Sequence, residues 1–142
     1  MKTSARNTLK GTIETITHGA VNAEVTLKLF SGTRIHAVIT RESVRFLGLV
    51  PGKVAYALIK SSWAILVAAD ERIVTSARNQ LCGVVRRVER GAINTEVELD
   101  LGQDDAFVVM ITNASQDLLK CAVGTQACAA IKASHVVIAV EE

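Results

Sequence analysis

The sequence predicts an all-β protein made of two OB-like β-barrel modules, each with five strands and one short helix. Three observations support this fold class. The chain repeats itself after 72 residues, apolar and polar side chains alternate through most of each copy, and one helical segment interrupts the alternation at the same place in both copies. Because 49% of the 142 residues are apolar, the chain has enough material for a packed core.

The repeat is clearest where TSARNTLKG at residues 3–11 returns as TSARNQLCG at residues 75–83. Moving the sequence by 72 positions aligns the two halves without a gap. The joint around residues 69–75 has no Gly-, Pro- or Ser-rich spacer. We therefore predict two modules, residues 1–70 and 71–142, that pack tightly against each other.

Alternation of apolar and polar residues predicts the second strand of each module, and the glycine before it places the first strand. In the first copy they are expected over residues 9–17 and 21–29, with Gly19 between them because a tight hairpin favours glycine. The third, fourth and fifth strands are predicted over residues 34–40, 53–60 and 63–68, each with a counterpart 72 residues later. A barrel this small buries little surface alone, so a tandem or oligomeric arrangement stabilises it.

A short helix is predicted between the third and fourth strands, over residues 41–47 and again over residues 113–119. Thr40 and Thr112 precede these segments and are expected to be their N-caps. Five short strands with a helix after the third is the order of an OB-type barrel.

Charge and composition exclude several classes of partner. Residues 1–70 carry nine Lys and Arg against four Asp and Glu (+5), whereas residues 71–142 carry seven against ten (−3). This small, divided charge and the presence of only five aromatic residues argue against nucleic-acid binding. No apolar run approaches the ~18 residues of a membrane span, and the N-terminus shows no hydrophobic leader, so we expect a cytoplasmic protein with no membrane partner.

The three cysteines, Cys82, Cys121 and Cys128, form no CxxC pair and have no histidine at ligand spacing. We therefore expect small core residues in a reducing cytosol, with neither a disulfide nor a metal-cation site.

Catalysis is not indicated either. None of the three histidines recurs in the other copy, and no nucleophile, phosphate-loop or zinc-protease motif is present. The acidic residues that do recur, Glu24 and Glu96, lie on polar strand faces, where a solvated or salt-bridged role is expected. The sequence therefore predicts a protein that is not an enzyme.

A set of polar residues recurs in both copies and has the composition of an oxyanion site. It consists of Ser4, Arg6, Asn7, Thr40, Ser43, Lys60 and Ser62, with Ser76, Arg78, Asn79, Thr112, Ser115, Lys132 and Ser134 as copies. Arginine offers a fork of donors, lysine a point charge, and hydroxyl groups add donors without charge. The first turn of a helix nearby adds backbone N–H groups that favour negative charge.

Each of these residues also has an ordinary structural interpretation. The threonines can be helix caps, the serines and asparagines can be turn residues, and the lysines can end a strand on its wet face. Their joint recurrence favours small-anion binding, because surface lysines and turn serines drift freely between duplicated halves.

Taken in order, the recurring motifs are S-A-R-N, G-x-[VI]-N-x-E-V, I-T-x-x-S and I-K-x-S, and they cover nearly all of the chain. With these motifs each half resembles the molybdate-binding Mop domain, and the whole resembles the tandem-Mop molbindins. The resemblance implies a cytoplasmic homotrimer that binds molybdate, and also tungstate, between modules for molybdenum storage and homeostasis, without catalysis. The alternative is a molybdate sensor that regulates a separate transport or transcription partner.

The resemblance nominates molybdate-binding residues in both copies. They are Ser4, Ala5, Arg6, Asn7, Thr40, Ser43, Lys60, Ser61 and Ser62, with Ser76, Ala77, Arg78, Asn79, Thr112, Ser115, Lys132, Ala133 and Ser134. A second type of site in the family uses the first hairpin, here Gly19, Ala20, Val21 and Asn22, with Gly91, Ala92, Ile93 and Asn94.

The second copy departs from the family pattern in three places, the first of which is LKCAVG in place of LGLVPG. Gln103, Asp104 and Asp105 replace a glycine-containing loop and would repel an anion at close range. Ala133 stands where the first copy has Ser61, which makes the two copies of the site unequal.

Overall fold

The computed structural model describes residues 1–68 and 73–142, and within them the predicted all-β fold of two five-stranded units is confirmed. The first repeat contains β1 (Asn7–His18), β2 (Asn22–Leu29), β3 (Arg34–Thr40), α1 (Arg41–Leu47), β4 (Val54–Ile59) and β5 (Ile65–Ala68). The second contains β6 (Asn79–Arg90), β7 (Asn94–Gly102), β8 (Asp105–Thr112), α2 (Asn113–Leu119), β9 (Gln126–Ile131) and β10 (Val137–Ala139). Short 3₁₀ turns at Ser61–Trp63 and Ala133–His135 precede β5 and β10.

The long first strand of each repeat is bent where it crosses its neighbours. The register of β1 against β2 shifts between Ile13 and Thr15, as at a β-bulge. Gly11 lies just before this shift, where a Cβ atom would stand 2.5 Å from the carbonyl oxygen of Lys28. Glycine therefore permits the close approach of the two strands that curves the sheet.

Both helices begin as the sequence predicts. The Thr40 hydroxyl accepts a hydrogen bond from the Ser43 amide at 3.0 Å, and the Thr112 hydroxyl accepts one from the Ser115 amide at 3.1 Å. These contacts satisfy one of the unpaired first-turn amides in each helix. The N-cap prediction is confirmed in both repeats.

The fifth strands are exchanged between the repeats. One sheet has the order β10-β4-β1-β2-β3 and the other has the order β5-β9-β6-β7-β8. Thus β10 completes the sheet of the first repeat, and β5 completes the sheet of the second. The predicted module boundary between residues 70 and 71 lies outside the described residues and stays a prediction.

Two buried asparagines connect the repeats a second time. The side chain of Asn7 accepts a hydrogen bond from the Val108 amide at 2.8 Å and donates one to the Val108 carbonyl at 2.9 Å. Asn79 makes the equivalent pair with His36, at 2.6 and 2.8 Å. Since the buried apolar residues of both repeats also form one continuous cluster, the two units share one core.

The cysteine prediction is wrong for two of the three residues. Cys82 on β6 and Cys128 on β9 stand opposite each other, with Cα atoms 4.0 Å apart, and form a disulfide. Cys82 is exposed and only Cys121 is a buried free cysteine. The pairing escaped prediction because the two residues are 46 positions apart and meet only through the β6–β9 register.

Candidate functional site

The S-A-R-N and I-K-x-S motifs meet at one end of each repeat. In the first repeat β1 and β4 are antiparallel and pair Asn7 with Ile59, so the residues before β1 lie beside those after β4. A cavity of about 190 Å³ opens there, lined by Thr3, Ser4, Ala5, Leu58, Lys60, Trp63 and Val137. The structure therefore brings together three predicted site residues, Ser4, Ala5 and Lys60. Val137, on β10 of the other repeat, completes the wall of the cavity.

The opening of each motif has the same local structure in both copies. The Ala5 amide donates to the Thr3 hydroxyl at 3.0 Å, and the Ala77 amide donates to the Thr75 hydroxyl at 3.1 Å. Ser4, Arg6 and their copies Ser76 and Arg78 are exposed. Among the residues that follow the fourth strand, Lys60, Ser62, Lys132 and Ser134 are exposed, Ser61 is half-buried and Ala133 is buried.

Trp63 is a cavity residue that the sequence analysis did not nominate. The Nζ atom of Lys60 lies 5.7 Å from the centroid of the Trp63 ring, which is cation–π distance. The ring also lies 5.8 Å from that of His135, its counterpart in the second repeat. The two 3₁₀ turns therefore contact each other. Lys60 and Lys132 are the residues that immediately precede these turns.

Arg6 and Arg78 reach across to the opposite repeat. The Nε atom of Arg6 lies 3.3 Å from a carboxylate oxygen of Glu96, and Nη2 of Arg78 lies 3.1 Å from one of Glu24. The salt-bridged role predicted for these glutamates is confirmed. Both guanidinium groups are about half exposed, so an anion that recruits one of them competes with a carboxylate at the surface.

The two glutamates have different second partners. Glu96 also contacts Arg87 at 3.2 Å, whereas Glu24 lies 3.6 Å from Nδ1 of His36. A hydrogen bond from Arg6, opposed by burial and reinforced by Arg87, holds the pKa of Glu96 below its ordinary value of 4.5. Burial, and then the charge of Arg78, lowers the pKa of His36 below its ordinary value of 6.5.

Asn7 and Asn79 have their side chains engaged elsewhere. Both are buried, at 3% and 2% exposure, and bind the backbone of the opposite repeat. Asn79 also donates to the Ile131 carbonyl at 3.2 Å, which occupies its second N–H. In this conformation the asparagines hold the repeats together and place the neighbouring Arg6 and Arg78.

The Thr–Ser pairs lie at the other end of the repeat. β1 runs for 12 residues between the two ends of the repeat. Thr40 pairs with Asn22 at the hairpin end of β2, far from Asn7. The Arg41 amide donates to the Val21 carbonyl at 2.9 Å, so two first-turn amides expected to point outward, those of Arg41 and Ser43, are already paired.

The side chains of the Thr–Ser pairs also bind each other. The Thr40 and Ser43 hydroxyls are 2.8 Å apart, and those of Thr112 and Ser115 are 2.9 Å apart. The Thr–Ser pairs of the two repeats therefore have the same internal hydrogen bond. Within one repeat, however, the structure does not bring them to the Arg and Lys motifs.

The hairpins nominated as a second site are turns closed by backbone hydrogen bonds. The Gly19 amide donates to the Asn22 carbonyl at 2.7 Å, and Gly91 does the same with Asn94 at 2.8 Å. Their tips are apolar and open, since Val21 is 72% exposed. Ala20 and Ala92 share these exposed tips with Val21 and Ile93.

A wide depression of about 550 Å³ lies beside the first hairpin. It is lined by His18, Ala20, Arg41, Glu42, Val44, Arg45, Gly48, Leu49 and Val50. Arg45 pairs with Glu42 inside it, which offsets part of its positive charge.

The acidic loop of the second repeat has a structural role. Gln103 and Asp104 adopt left-handed backbone conformations, with φ of 52° and 66°. Asp105 then accepts a hydrogen bond from the Ser31 amide of the first repeat at 2.8 Å. This loop therefore adds one more contact between the repeats.

Two further features were sought over residues 1–68 and 73–142. No helix there combines the length and apolarity that crossing a membrane requires. Within the same ranges, no group of three or more His, Cys, Asp or Glu side chains is arranged to hold a metal ion.

Comparison with known proteins identifies the repeat. The TOBE domain matches residues 3–66 and 75–138. The molybdenum-pterin-binding protein MopA of Rhodobacter capsulatus is 46% identical over 139 residues, which are 98% of this chain and 52% of MopA. The molybdenum transport protein ModE of Herbaspirillum seropedicae is 42% identical over 142 residues, 100% of this chain and 53% of ModE. The chain thus spans about half the length of the curated relatives it matches.

A solved structure matches over the whole length of both chains. The cytoplasmic molybdate-binding protein ModG, with molybdate bound, superposes with a TM-score of 0.93 at 42% identity, covering 99% of this chain and 100% of ModG. The resemblance to tandem Mop proteins is confirmed, and the chain belongs to the TOBE-domain family as a tandem of two such domains.

Proposed function

We propose that this chain binds molybdate, and also tungstate, for storage and homeostasis of molybdenum in the cytoplasm, without catalysing a reaction. The observation that carries the proposal is the cavity where Ser4, Ala5 and Lys60 meet, in a fold that matches molybdate-bound ModG over 99% of the chain. MopA, at 46% identity, supports molybdenum as the element concerned.

The chemistry of the motif end suits a tetrahedral dianion. Arg6 and Lys60 supply two positive charges, and the serine hydroxyls and backbone amides supply neutral donors. In the described part of the chain Arg6 is held by a half-exposed, two-contact salt bridge to Glu96, and a salt bridge at the surface contributes about 0–1 kcal/mol. Turning Arg6 from the carboxylate to an oxyanion therefore costs little.

The complete set of predicted ligands requires more than one module. Within one repeat the Thr–Ser pair lies at the opposite end of β1 from the Arg and Lys motifs. We infer that an anion site that uses both sets joins residues of different modules, from this chain or from neighbouring copies.

A homo-oligomer, proposed as a trimer, supplies those neighbours. Large apolar side chains are exposed at equivalent places in both repeats: Val21 at 72%, Ile93 at 77%, Phe46 at 85% and Leu118 at 82%. They lie on the hairpin tips and on the outer faces of α1 and α2. Recurring exposed apolar groups of this size are typical of a protein–protein contact.

Calorimetric titration of the full chain with molybdate, tungstate, sulfate and phosphate tests the proposal, together with its native mass. We expect heat from molybdate and tungstate at a fixed number of ions per chain, and the mass of a trimer. No heat from molybdate in a sulfate-free buffer would refute the proposed function.

Substitution of the two motif arginines assigns the sites. Arg6→Ala and Arg78→Ala should each lower the number of ions bound per chain, because each removes one guanidinium from the set. Arg34→Ala is the matched control, since Arg34 is a half-exposed arginine that pairs with Glu14 and belongs to none of the recurring motifs. Unchanged stoichiometry in both test variants contradicts the assignment.

A second candidate function is molybdate sensing for a transcription or transport partner. It is favoured by the match to about half of several ModE proteins, among them the E. coli DNA-binding transcriptional dual regulator ModE at 37% identity over 118 residues. Capture of a specific partner in the presence of molybdate, and not in its absence, would support sensing over storage.

A further inference from the structure

The two copies of the Arg–Glu bridge differ in the group behind the glutamate. Glu96 is bound by Arg6 and by Arg87, at 3.3 and 3.2 Å. Glu24 is bound by Arg78 at 3.1 Å, and the same carboxylate oxygen lies 3.6 Å from Nδ1 of His36. Thus a permanent cation supports one glutamate, and a titratable ring supports the other.

Sequence explains the difference, because neither second partner recurs in the other repeat. Thr15 stands at the position equivalent to Arg87, and Val108 stands at the position equivalent to His36. The backbone at 36 and 108 is nevertheless held in the same way, by the amide of Asn79 or Asn7. The asymmetry is therefore confined to side chains.

Departure of the arginine has a different consequence at each bridge. When Arg6 turns to an anion, Glu96 keeps Arg87, which is charged at every accessible pH. When Arg78 turns away, His36 is the group that remains beside Glu24 among residues 1–68 and 73–142, and it stabilises the carboxylate fully only after taking up a proton. The departure of Arg6 from Glu96 therefore leaves protonation unchanged. The departure of Arg78 from Glu24 favours the imidazolium form of His36.

The groups facing His36 come from four places in the fold. Glu14 on β1 and Glu24 on β2 favour the imidazolium, whereas Arg34 on its own strand and Arg78 before β6 oppose it. Glu14 and Arg34 bind each other at 3.0 Å, so their effects largely offset. Thr26 contributes a neutral hydroxyl 3.0 Å from Nδ1. The balance therefore depends mainly on Glu24 and Arg78.

The direction of the coupling follows from these charges. In the free chain burial and Arg78 keep the pKa of His36 below 6.5. A dianion neutralises Arg78 and frees Glu24, so the pKa of His36 rises on binding. Between the lower and the higher pKa, binding takes up a proton and is tighter at the lower pH.

We propose that the two repeats offer unequal anion sites, and that anion capture by Arg78 is linked to proton uptake by His36 while capture by Arg6 is not. His36 is a positioning residue in this scheme, because it acts through Glu24 and Arg78. The proposal rests on the proposed function, since it requires an oxyanion that recruits Arg78.

The test is calorimetric titration of the full chain with molybdate in buffers of different ionisation enthalpy, between a pH of about 5 and about 8, so that the range extends below the ordinary pKa of histidine. The dependence of the observed heat on the buffer gives the number of protons taken up. We expect uptake of up to one proton per Arg78 site, and an association constant at that site that increases by up to about tenfold for each unit of falling pH.

Three variants locate the effect. His36→Val should abolish proton uptake and leave molybdate heat in place, and valine is tolerated because Val108 occupies the equivalent backbone position. Arg78→Ala should abolish uptake as well. Glu96→Gln, the matched control on the other bridge, should retain it.

The outcomes separate the two proposals. Absence of molybdate heat at every pH refutes the proposed function, and this inference with it. Heat that is the same in all buffers refutes the inference alone. Proton uptake that persists in His36→Val or in Arg78→Ala also refutes it, because the proton then goes elsewhere.

Discussion

At the scale of single residues, the side chains of Asn7 and Asn79 make the hydrogen bonds with the opposite repeat that the backbone of a paired strand would otherwise make. Each side-chain amide accepts from and donates to the backbone of one residue in the opposite repeat, as a neighbouring strand would. Both amides are buried. Removing one leaves a buried N–H and a buried C=O without partners, which is more costly than losing an exposed hydrogen bond.

We therefore predict that Asn79→Ala lowers the free energy of unfolding by about 1–3 kcal/mol. Urea unfolding followed by circular dichroism measures it. Asn22→Ala is the control, since Asn22 is exposed at the hairpin, and should change stability by less than about 0.5 kcal/mol. Equal effects of the two substitutions would contradict the role given to Asn79.

Recurrence alone could not separate these asparagines from the exposed Ser4, Arg6 and Lys60. Both groups are polar and both repeat, but one group faces the opposite repeat and the other faces a cavity. Recurrence also missed Trp63 and His36, because neither is repeated. A histidine or tryptophan in only one copy, on a strand or turn beside a recurring motif, was the available signal.

At the scale of elements, the disulfide fastens β9 to β6 in the second sheet only. β9 lies between β5 and β6, and its last residue leads directly into Lys132. The equivalent positions of the first sheet are Lys10 and Tyr56, which face each other across β1 and β4. The second sheet thus has a covalent tie that the first lacks.

We predict one thiol per unfolded chain without reductant, from Cys121, and three after reduction, as measured by thiol titration. Reduction should lower stability by up to about 4 kcal/mol, because the bond closes a long loop. Cys82→Ser should abolish this dependence on reductant. Three thiols in the chain purified without reductant would overturn the prediction.

Alternation of apolar and polar residues predicted the second strand of each repeat closely, because it reports which face of a strand is buried. The helices were predicted from their position and from the threonines that precede them. The alternation pattern does not indicate which neighbouring strand an edge strand pairs with. For this reason the sequence predicted β5 and β10 as strands and did not predict their exchange. The disulfide was missed for the same reason.

At the scale of the whole molecule, exchanged strands, paired asparagines and Arg–Glu bridges fix the two repeats against each other. A core continuous across both repeats adds to this. The 3₁₀ turns that follow Lys60 and Lys132 consequently meet through the rings of Trp63 and His135. The Thr–Ser pairs lie at the far ends of the sheets, where the exposed apolar residues are. Arg78, however, binds Glu24, which lies two positions along β2 from Asn22, the partner of Thr40. An arginine of one repeat therefore approaches the Thr–Ser pair of the other within the chain, and contact between copies supplies further combinations.

The most direct test is an anomalous difference map at the molybdenum absorption edge from crystals of the molybdate complex. We predict peaks within hydrogen-bond distance of Arg6 or Arg78 of one module, and of a Thr–Ser pair, Thr40–Ser43 or Thr112–Ser115, of a different module. Peaks surrounded by a single module, or no peak beside either arginine, would contradict the proposal that molybdate binds where modules meet.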